Sequence, residues 1–151
     1  MEHSLYMRQA LAEAQKAYKV GEVPIGAVLV VDGQIIAAGH DLRELLKDAS
    51  AHAEILVLRE AAQRLGDWRL NDATLYVTVE PCAMCAGAIV QFRVGRLVYG
   101  APNNKSGSVD SVMDIVRQPG FNHQVEVIAG VLEDECREII RSFFKEKRKL
   151  K

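Results

Sequence analysis

Four residues in two short segments have the types and spacing to do chemistry together. His52 and Glu54 stand in Ala51-His52-Ala53-Glu54, and Cys82 and Cys85 stand in Pro81-Cys82-Ala83-Met84-Cys85. One imidazole and two thiolates are a ligand set suited to Zn²⁺, and three protein ligands leave a fourth tetrahedral position for water. Such an ion carries no net charge with its ligands, so it acidifies water less than an all-histidine site does. A nearby carboxylate compensates by accepting the water's proton and passing it on. Glu54 is therefore the candidate proton carrier, and His52, Cys82 and Cys85 are the candidate ligands. Two duller readings compete: a closed structural zinc with a fourth protein ligand, and a cysteine pair that binds no metal. A lone C-x-x-C would be a weak signal, whereas the four-part constellation is specific. His3, His40, His123 and Cys136 have no zinc spacing. Cys136 reads as a packed core thiol, and His3 and His123 as surface or hydrogen-bonding histidines.

These residues need elements to hold them. Ser4 can cap a first helix in which Leu5, Leu11, Ala14 and Tyr18 recur near helical spacing, with Gly21 as its stop. Two β-rich runs, 25–31 and 34–38, flank Asp32-Gly33 and read as a tight hairpin. A polar loop over 39–50 follows, then a helix over 52–65 that stops at Gly66. Residues 73–79 form a third strand, and Pro81 opens the next helix, where proline suits the first position. A fourth strand covers 96–100, and a Gly/Asn/Ser-rich loop over 102–108 leads to a short helix near 112–116. A fifth strand covers 125–128. The last helix presents Leu132, Cys136, Ile139, Ile140, Phe143 and Phe144 on one face. The order αββαβαβαβα, with no repeat or linker, predicts one domain over 1–151 with a mixed sheet between helical layers.

In that frame Cys82 and Cys85, at i and i+3, share a helix face and can reach one metal. Both ligand groups lie at positive helix ends, where backbone N–H groups favour thiolate over thiol. Residues i and i+2 do not share a face, so His52 and Glu54 converge only if the site lies off the helix end.

Bulk properties narrow the class. The chain has 151 residues, enough to bury about 70% of its unfolded surface in one domain. It is 49% hydrophobic and 26% charged, as globular proteins are. No apolar run has the length of a membrane span, and MEHSLYMRQA lacks a signal-peptide apolar core. Three cysteines, two of them in C-x-x-C, do not make a disulfide framework, which points to a reducing, cytoplasmic setting. The net charge of −1 hides an asymmetry: residues 141–151 carry +5, and the rest carries −6. Such a cationic end can bind a polyanion with salt-sensitive affinity, or it can be a solvated helix end that complements its dipole.

The chain resembles the zinc-dependent nucleobase deaminases, and most closely the bacterial tRNA-specific adenosine deaminases. The resemblance rests on the H-x-E and P-C-x-x-C blocks, 51–55 and 79–88. It extends to 21–27, to Pro119-Gly120-Phe121-Asn122-His123 and to Phe143-Phe144 followed by basic residues. It implies a three-layer α/β/α cytidine-deaminase-like fold with a mixed five-stranded sheet. It also implies one Zn²⁺ per subunit, a homodimer, and conversion of adenosine to inosine at the wobble position of a tRNA anticodon stem-loop. By the same resemblance zinc-activated water attacks C6 of a flipped-out adenine, Glu54 moves protons and ammonia leaves. The basic C-terminal end becomes an RNA contact, and Ile25, Asp41, Asn103 and Phe144 become substrate-binding residues. Asn122 and His123 serve either structure or substrate.

Two positions depart from that pattern. Asp41 stands where the family usually has asparagine, and Asn103 where it usually has aspartate. An asparagine amide donates to a purine or ribose acceptor, whereas ionised aspartate only accepts. Asp41 thus needs a proton or holds the substrate differently, and neutral Asn103 loses less when a ribose 2′-OH is absent. Ordinary exchange in polar loops is the alternative. The pair is compatible with a divergent or an engineered member. Two other functions stay open: deamination of cytosine, of single-stranded DNA adenine or of a free base or nucleoside, and a non-catalytic zinc-stabilised RNA-binding module.

Overall fold

In the computed structural model, which describes residues 2–150, alternate residues of the central strands face two separate cores. In β1 (Gly26–Val31), Ala27 and Leu29 enter one core, and Val28 and Val30 the other. Leu75 and Val77 of β3 (Thr74–Val79) and Leu97 and Tyr99 of β4 (Arg96–Ala101) join the first core. Tyr76 and Val98 join the second. The period-two pattern therefore produces three layers. Helices α3 (Ala53–Leu65) and α4 (Ala83–Gln91) cover the first face with Val57, Leu58, Ala61, Ala86 and Ile89. Helices α1 (Glu2–Lys19) and α5 (Glu133–Lys149) cover the second, through Met7, Ala10 and Cys136. Fully burying a side chain such as Leu58 stabilises the fold by about 1.5–3 kcal/mol.

With β2 (Gln34–His40) and β5 (Glu126–Ala129) the strand order is β2-β1-β3-β4-β5. Strand β1 is antiparallel to β2 and β3, while β3, β4 and β5 are parallel. Asp32 and Gly33, both at positive φ, make the β1–β2 turn. The fold is thus the open, mixed five-stranded α/β architecture that the resemblance implies.

Five local readings are corrected. Helix α1 already includes Glu2, so Ser4 lies inside it and caps nothing. Its buried stripe is Met7, Ala10, Ala14 and Ala17, and Leu5 faces solvent. The alanines let α1 approach so closely that a Cβ on Gly26 would lie 2.0 Å from the Ala10 carbonyl oxygen. The loop expected over 39–50 begins only after His40 and contains a short helix, α2 (Arg43–Leu46). Pro81 precedes Cys82, the N-cap of α4, rather than taking the first helical position. Residues 112–116 form turns and irregular backbone, in which the Val112 and Ile115 N–H groups reach back to the Gly107 and Ser108 carbonyls instead of four residues back. The N–H groups of Val109, Asp110 and Ser111 go to the Glu80 carboxylate. Among the described residues, no helix is long and apolar enough to cross a membrane.

Candidate active site

The motif segments converge on one edge of the sheet. The strand directions bring the start of β1 and the ends of β2, β3 and β4 together there, where α3 and α4 begin. Ligands of open α/β sheets bind at such carboxyl ends. His52 is the N-cap of α3 and Cys82 the N-cap of α4, both with extended backbone, and Cys85 sits in the first turn of α4. The caps carry their side chains off the helix ends, which removes the i, i+2 objection to His52 and Glu54 meeting.

His52 Nδ1 lies 3.7 Å from Cys82 Sγ and 3.5 Å from Cys85 Sγ. The three donor atoms all lie within 4.8 Å of one another. Zinc bonded tetrahedrally to nitrogen and sulfur holds those atoms about 3.5 Å apart. The residues therefore fit the ion, with Nδ1 as the nitrogen that faces it. Among the described residues no fourth His, Cys, Asp or Glu joins the group, so one position stays open.

The electrostatics agree with the donor chemistry. A hydrogen bond from Cys85 and then His52 pull the Cys82 thiol down to about 3, against the opposing effect of burial. Cys85, as that donor and as a buried group, is pushed far up. Without a cation the pair accommodates one negative charge; a divalent ion would stabilise both thiolates. His52 is raised, chiefly by its hydrogen bond to Cys82, with Asp41 and Glu54 adding to the effect against burial. Glu54 is 4% exposed, and burial, reinforced by Asp41, pushes it up to about 8. A carboxyl group poised near neutrality is suited to taking up and releasing protons.

Glu54, His52 and Cys82 line an inner cavity of about 150 Å³ with Ile25, Asp41 and Asn103. It shares Ile25, Arg43, Val79, Asn103 and Ser106 with an outer groove of about 600 Å³, along which Lys105, Arg137, Arg141 and Phe144 are arrayed. Beyond Phe144, Lys147 and Arg148 line a further depression. The sequence-predicted residues thus divide. Ile25, Asp41 and Asn103 border the inner cavity, whereas Phe144, 43% exposed, lies outside it, between the outer groove and the further depression.

Comparison with known proteins agrees with this geometry. A family described as MafB19-like deaminase matches residues 1–148. The tRNA-specific adenosine deaminase of Bacillus subtilis (strain 168) is 54% identical over 147 residues, 97% of this chain and 91% of that one. A structure from a study of A-to-I editing by tRNA:A34 deaminases at the wobble position of transfer RNA superposes with a TM-score of 0.86. It is 48% identical, with 89% of this chain and 98% of that chain covered. The chain belongs to the tRNA-specific adenosine deaminase family. A guanine deaminase from Bacillus subtilis is also similar, with a TM-score of 0.64 and 38% identity over 68% of this chain and 66% of that one. The shared fold alone therefore does not decide the base.

In this deaminase the two departing positions have structural duties. Asp41 is 1% exposed and its Oδ1 accepts the Ala53 N–H at 2.7 Å, anchoring the start of α3. Burial pushes its carboxyl up to about 6, against that hydrogen bond and the nearby His52 and Arg43. Asn103 Oδ1 accepts from the N–H groups of Lys105 and Ser106 at 3.2 Å each, and its Nδ2 donates to Ser106 Oγ at 2.9 Å. An aspartate there could accept the same two backbone bonds. His123 contacts the Val94 carbonyl at 2.7 Å, a structural contact, and His3 and His40 are engaged by Tyr76 and Glu13.

Sequence reasoning assigned no role to two buried carboxylates. Glu22 accepts from the N–H groups of Glu44 and Leu45 and so holds the α2 segment carrying Arg43. Glu80 accepts from five donors in 103–111. Burial raises its carboxyl, but the bonds from Ser111 Oγ and from the Asp110, Asn103 and Ser111 N–H groups outweigh this and leave it below the usual range. The available signal was a charged residue closing an apolar strand, directly before Pro81-Cys82.

Proposed function

We propose that this deaminase converts adenosine to inosine at the wobble position of a tRNA anticodon loop, with His52, Cys82 and Cys85 as zinc ligands and Glu54 as the catalytic acid/base. One observation carries the reading: the buried Glu54 carboxylate shares one small cavity with His52 and Cys82, whose donor atoms converge with that of Cys85 beneath, and that cavity adjoins a groove lined by cations. His52 Nδ1 and the two sulfurs would hold the ion, which when bound supplies a Lewis acid that makes water nucleophilic near neutral pH. Glu54 accepts a proton from the attacking water and delivers it to the adenine. Glu54 then takes the second proton, from the hydroxyl now bonded to C6, and passes it to the amino group, which leaves as ammonia, so one water is consumed and a C6 carbonyl remains. Ile25 and Asn103 border the base at the cavity mouth. The cations Arg43, Lys105, Arg137 and Arg141 face phosphates in the outer groove, and Phe144 offers a ring on which a flanking base stacks.

In this reading the protein works in the cytoplasm as a homodimer over its single domain. The dimer is supported by Met84 and Gln91 exposed on one face of α4, with Phe121 exposed beside that helix. The described part of the basic end, up to Lys149, continues α5 and borders the groove through Arg141 and the adjoining depression through Lys147 and Arg148; Lys151 lies outside the described residues.

The test offers the zinc-loaded protein an anticodon stem-loop with wobble adenosine, its cytidine counterpart, and free nucleosides, with products read by mass. Inosine in the loop alone supports the reading. Uridine formation or free inosine instead supports a shifted substrate, as the guanine deaminase likeness allows. A protein that binds the loop but converts nothing would be a zinc-stabilised binding module.

A further inference from the structure

Glu80 is 2% exposed, and it forms no salt bridge among the described residues. Its charge is met entirely by neutral donors from one segment of chain. Oε1 accepts the Asn103 N–H at 3.1 Å and the Ser111 hydroxyl. Oε2 accepts the N–H groups of Val109, Asp110 and Ser111 at 3.0, 2.7 and 3.0 Å. The segment folds around the carboxylate so tightly that a Cβ on Gly107 would lie 2.4 Å from Glu80 Cδ. Only glycine permits that approach. The next residue reinforces the link, because the Pro81 carbonyl accepts the Ser108 N–H at 2.8 Å. The residue after Pro81 is Cys82. A single strand-to-helix turn therefore carries both a thiolate of the site and the anchor of the loop that supplies Asn103 and Ser106 to the cavity.

We propose that Glu80 is a positioning residue for the substrate: its buried carboxylate sets the course of the 103–111 loop and so places Asn103 at the cavity mouth in register with the donors below. The role builds on the proposed deamination, since it concerns substrate presented to that site. A carboxylate suits it because it is acceptor-only, with lone pairs for several donors. An amide would turn its NH2 toward some of the same N–H groups. Glu80 itself borders the inner cavity, but both its carboxylate oxygens are taken by donors of the loop, so in this role substrate affinity should suffer more than turnover.

Glu80→Gln tests this in the zinc-loaded protein. The expected result is a KM for the stem-loop raised by about tenfold, with kcat changed by no more than about threefold, as losing hydrogen bonds to a charged group implies. Metal content stays at that of the parent, and amide exchange speeds up in 103–111 but not in the 42–46 segment held by Glu22. Glu80→Asp, which keeps an acceptor-only group, recovers part of the exchange protection and of the affinity. The effects of Glu80→Gln and Asn103→Ala fall short of additive in the double variant, because in this role Glu80 acts on substrate through the placement of the Asn103 side chain. The proposal is overturned if kcat falls while KM holds, if metal is lost, if the two effects add, or if exchange in 103–111 does not change. Should Glu80→Gln not fold, Ser111→Ala removes one donor and must show the same pattern at smaller size. The exchange readout needs no substrate, so if the parent protein is inactive on every stem-loop the proposed function fails, while unchanged exchange in 103–111 still overturns the role of Glu80 and faster exchange confined there still supports its hold on the loop.

Discussion

The groups at the base of the inner cavity come from the beginnings of two helices, whereas those at its mouth come from loops. His52, Glu54, Cys82 and Cys85 stand at the caps and first turns of α3 and α4, which are packed on the sheet through Val57, Leu58, Ala86 and Ile89. Asp41, Arg43 and Asn103 have no such backing. Their segments are held by buried acceptors instead: Glu22 for 42–46, and Glu80 for 103–111. A helix cap fixes direction through the backbone, so the base is hard to alter without unfolding it. A loop gathered around one carboxylate can change residue by residue while its anchor persists. In the proposed reading the chemistry is thus built into the regular structure, and the choice of substrate is left to the replaceable part.

The largest expected effect separates the two regions. Glu54→Gln should lower kcat by about a thousandfold, within the range for losing a general acid/base, and leave metal content unchanged. Steady-state rates with metal analysis check this; near-normal turnover would remove Glu54 from the base of the site.

Asp41→Asn acts at the boundary. Its Oδ1 still accepts the Ala53 N–H, while the new amide donates into the cavity, so the ratio of adenosine to cytidine conversion should rise by about tenfold. Competition assays on mixed stem-loops read it, and an unmoved ratio would assign Asp41 to the cap alone. The same variant has a stability signature. Because burial raises the Asp41 pKa to about 6 from 3.8, the folded state prefers its protonated form. The stability this provides is complete below the unfolded value and is lost as pH rises through about 6. In chelator-treated protein, the Tm advantage of Asp41→Asn should therefore grow between pH 4 and about 7. A constant difference across that range would contradict the burial argument.

Farther out, replacing Lys147 and Arg148 by alanine should weaken stem-loop binding by about threefold and flatten its salt dependence by about 0.7 for each phosphate no longer neutralised. Titrations at several salt concentrations decide it, and an unaltered slope would make the end of α5 a solvated helix terminus. The smallest effect belongs to Asn103→Asp. A carboxylate there accepts from a ribose hydroxyl, so the RNA-to-DNA preference should rise by about threefold in single-turnover deamination of matched hairpins. An unchanged ratio would leave Asn103 with only its turn contacts to Lys105 and Ser106.

The elements differed in how well the sequence announced them. Strands β1, β3 and β4 were legible as short, nearly continuous apolar runs buried on both faces, and helix α3 by its helical apolar spacing, with Gly66 ending it at positive φ. Helix α1 was legible in extent but not in face, since its contact stripe is mostly alanine and follows the close approach to Gly26. The segment 112–116 has a helical pattern of apolar residues, yet distant Glu80 and nearby Ser108 claim its surroundings. Local propensity yields where a buried carboxylate needs donors.

For the site, residue type and spacing by themselves singled out the candidate ligand set and the candidate proton carrier, because soft donors in i, i+3 register beside a carboxylate have few other uses. They could not determine that His52 and Cys82 are caps, that Nδ1 is the nitrogen facing the sulfurs, or that Phe144 lies outside the inner cavity. Those facts depend on which strand ends meet at one edge, and that is decided by long-range pairing. The role of Glu80 shows the same division. Its charge is visible in the sequence, but the five donors that satisfy it lie more than twenty residues away and converge only when β3 and β4 pair in parallel.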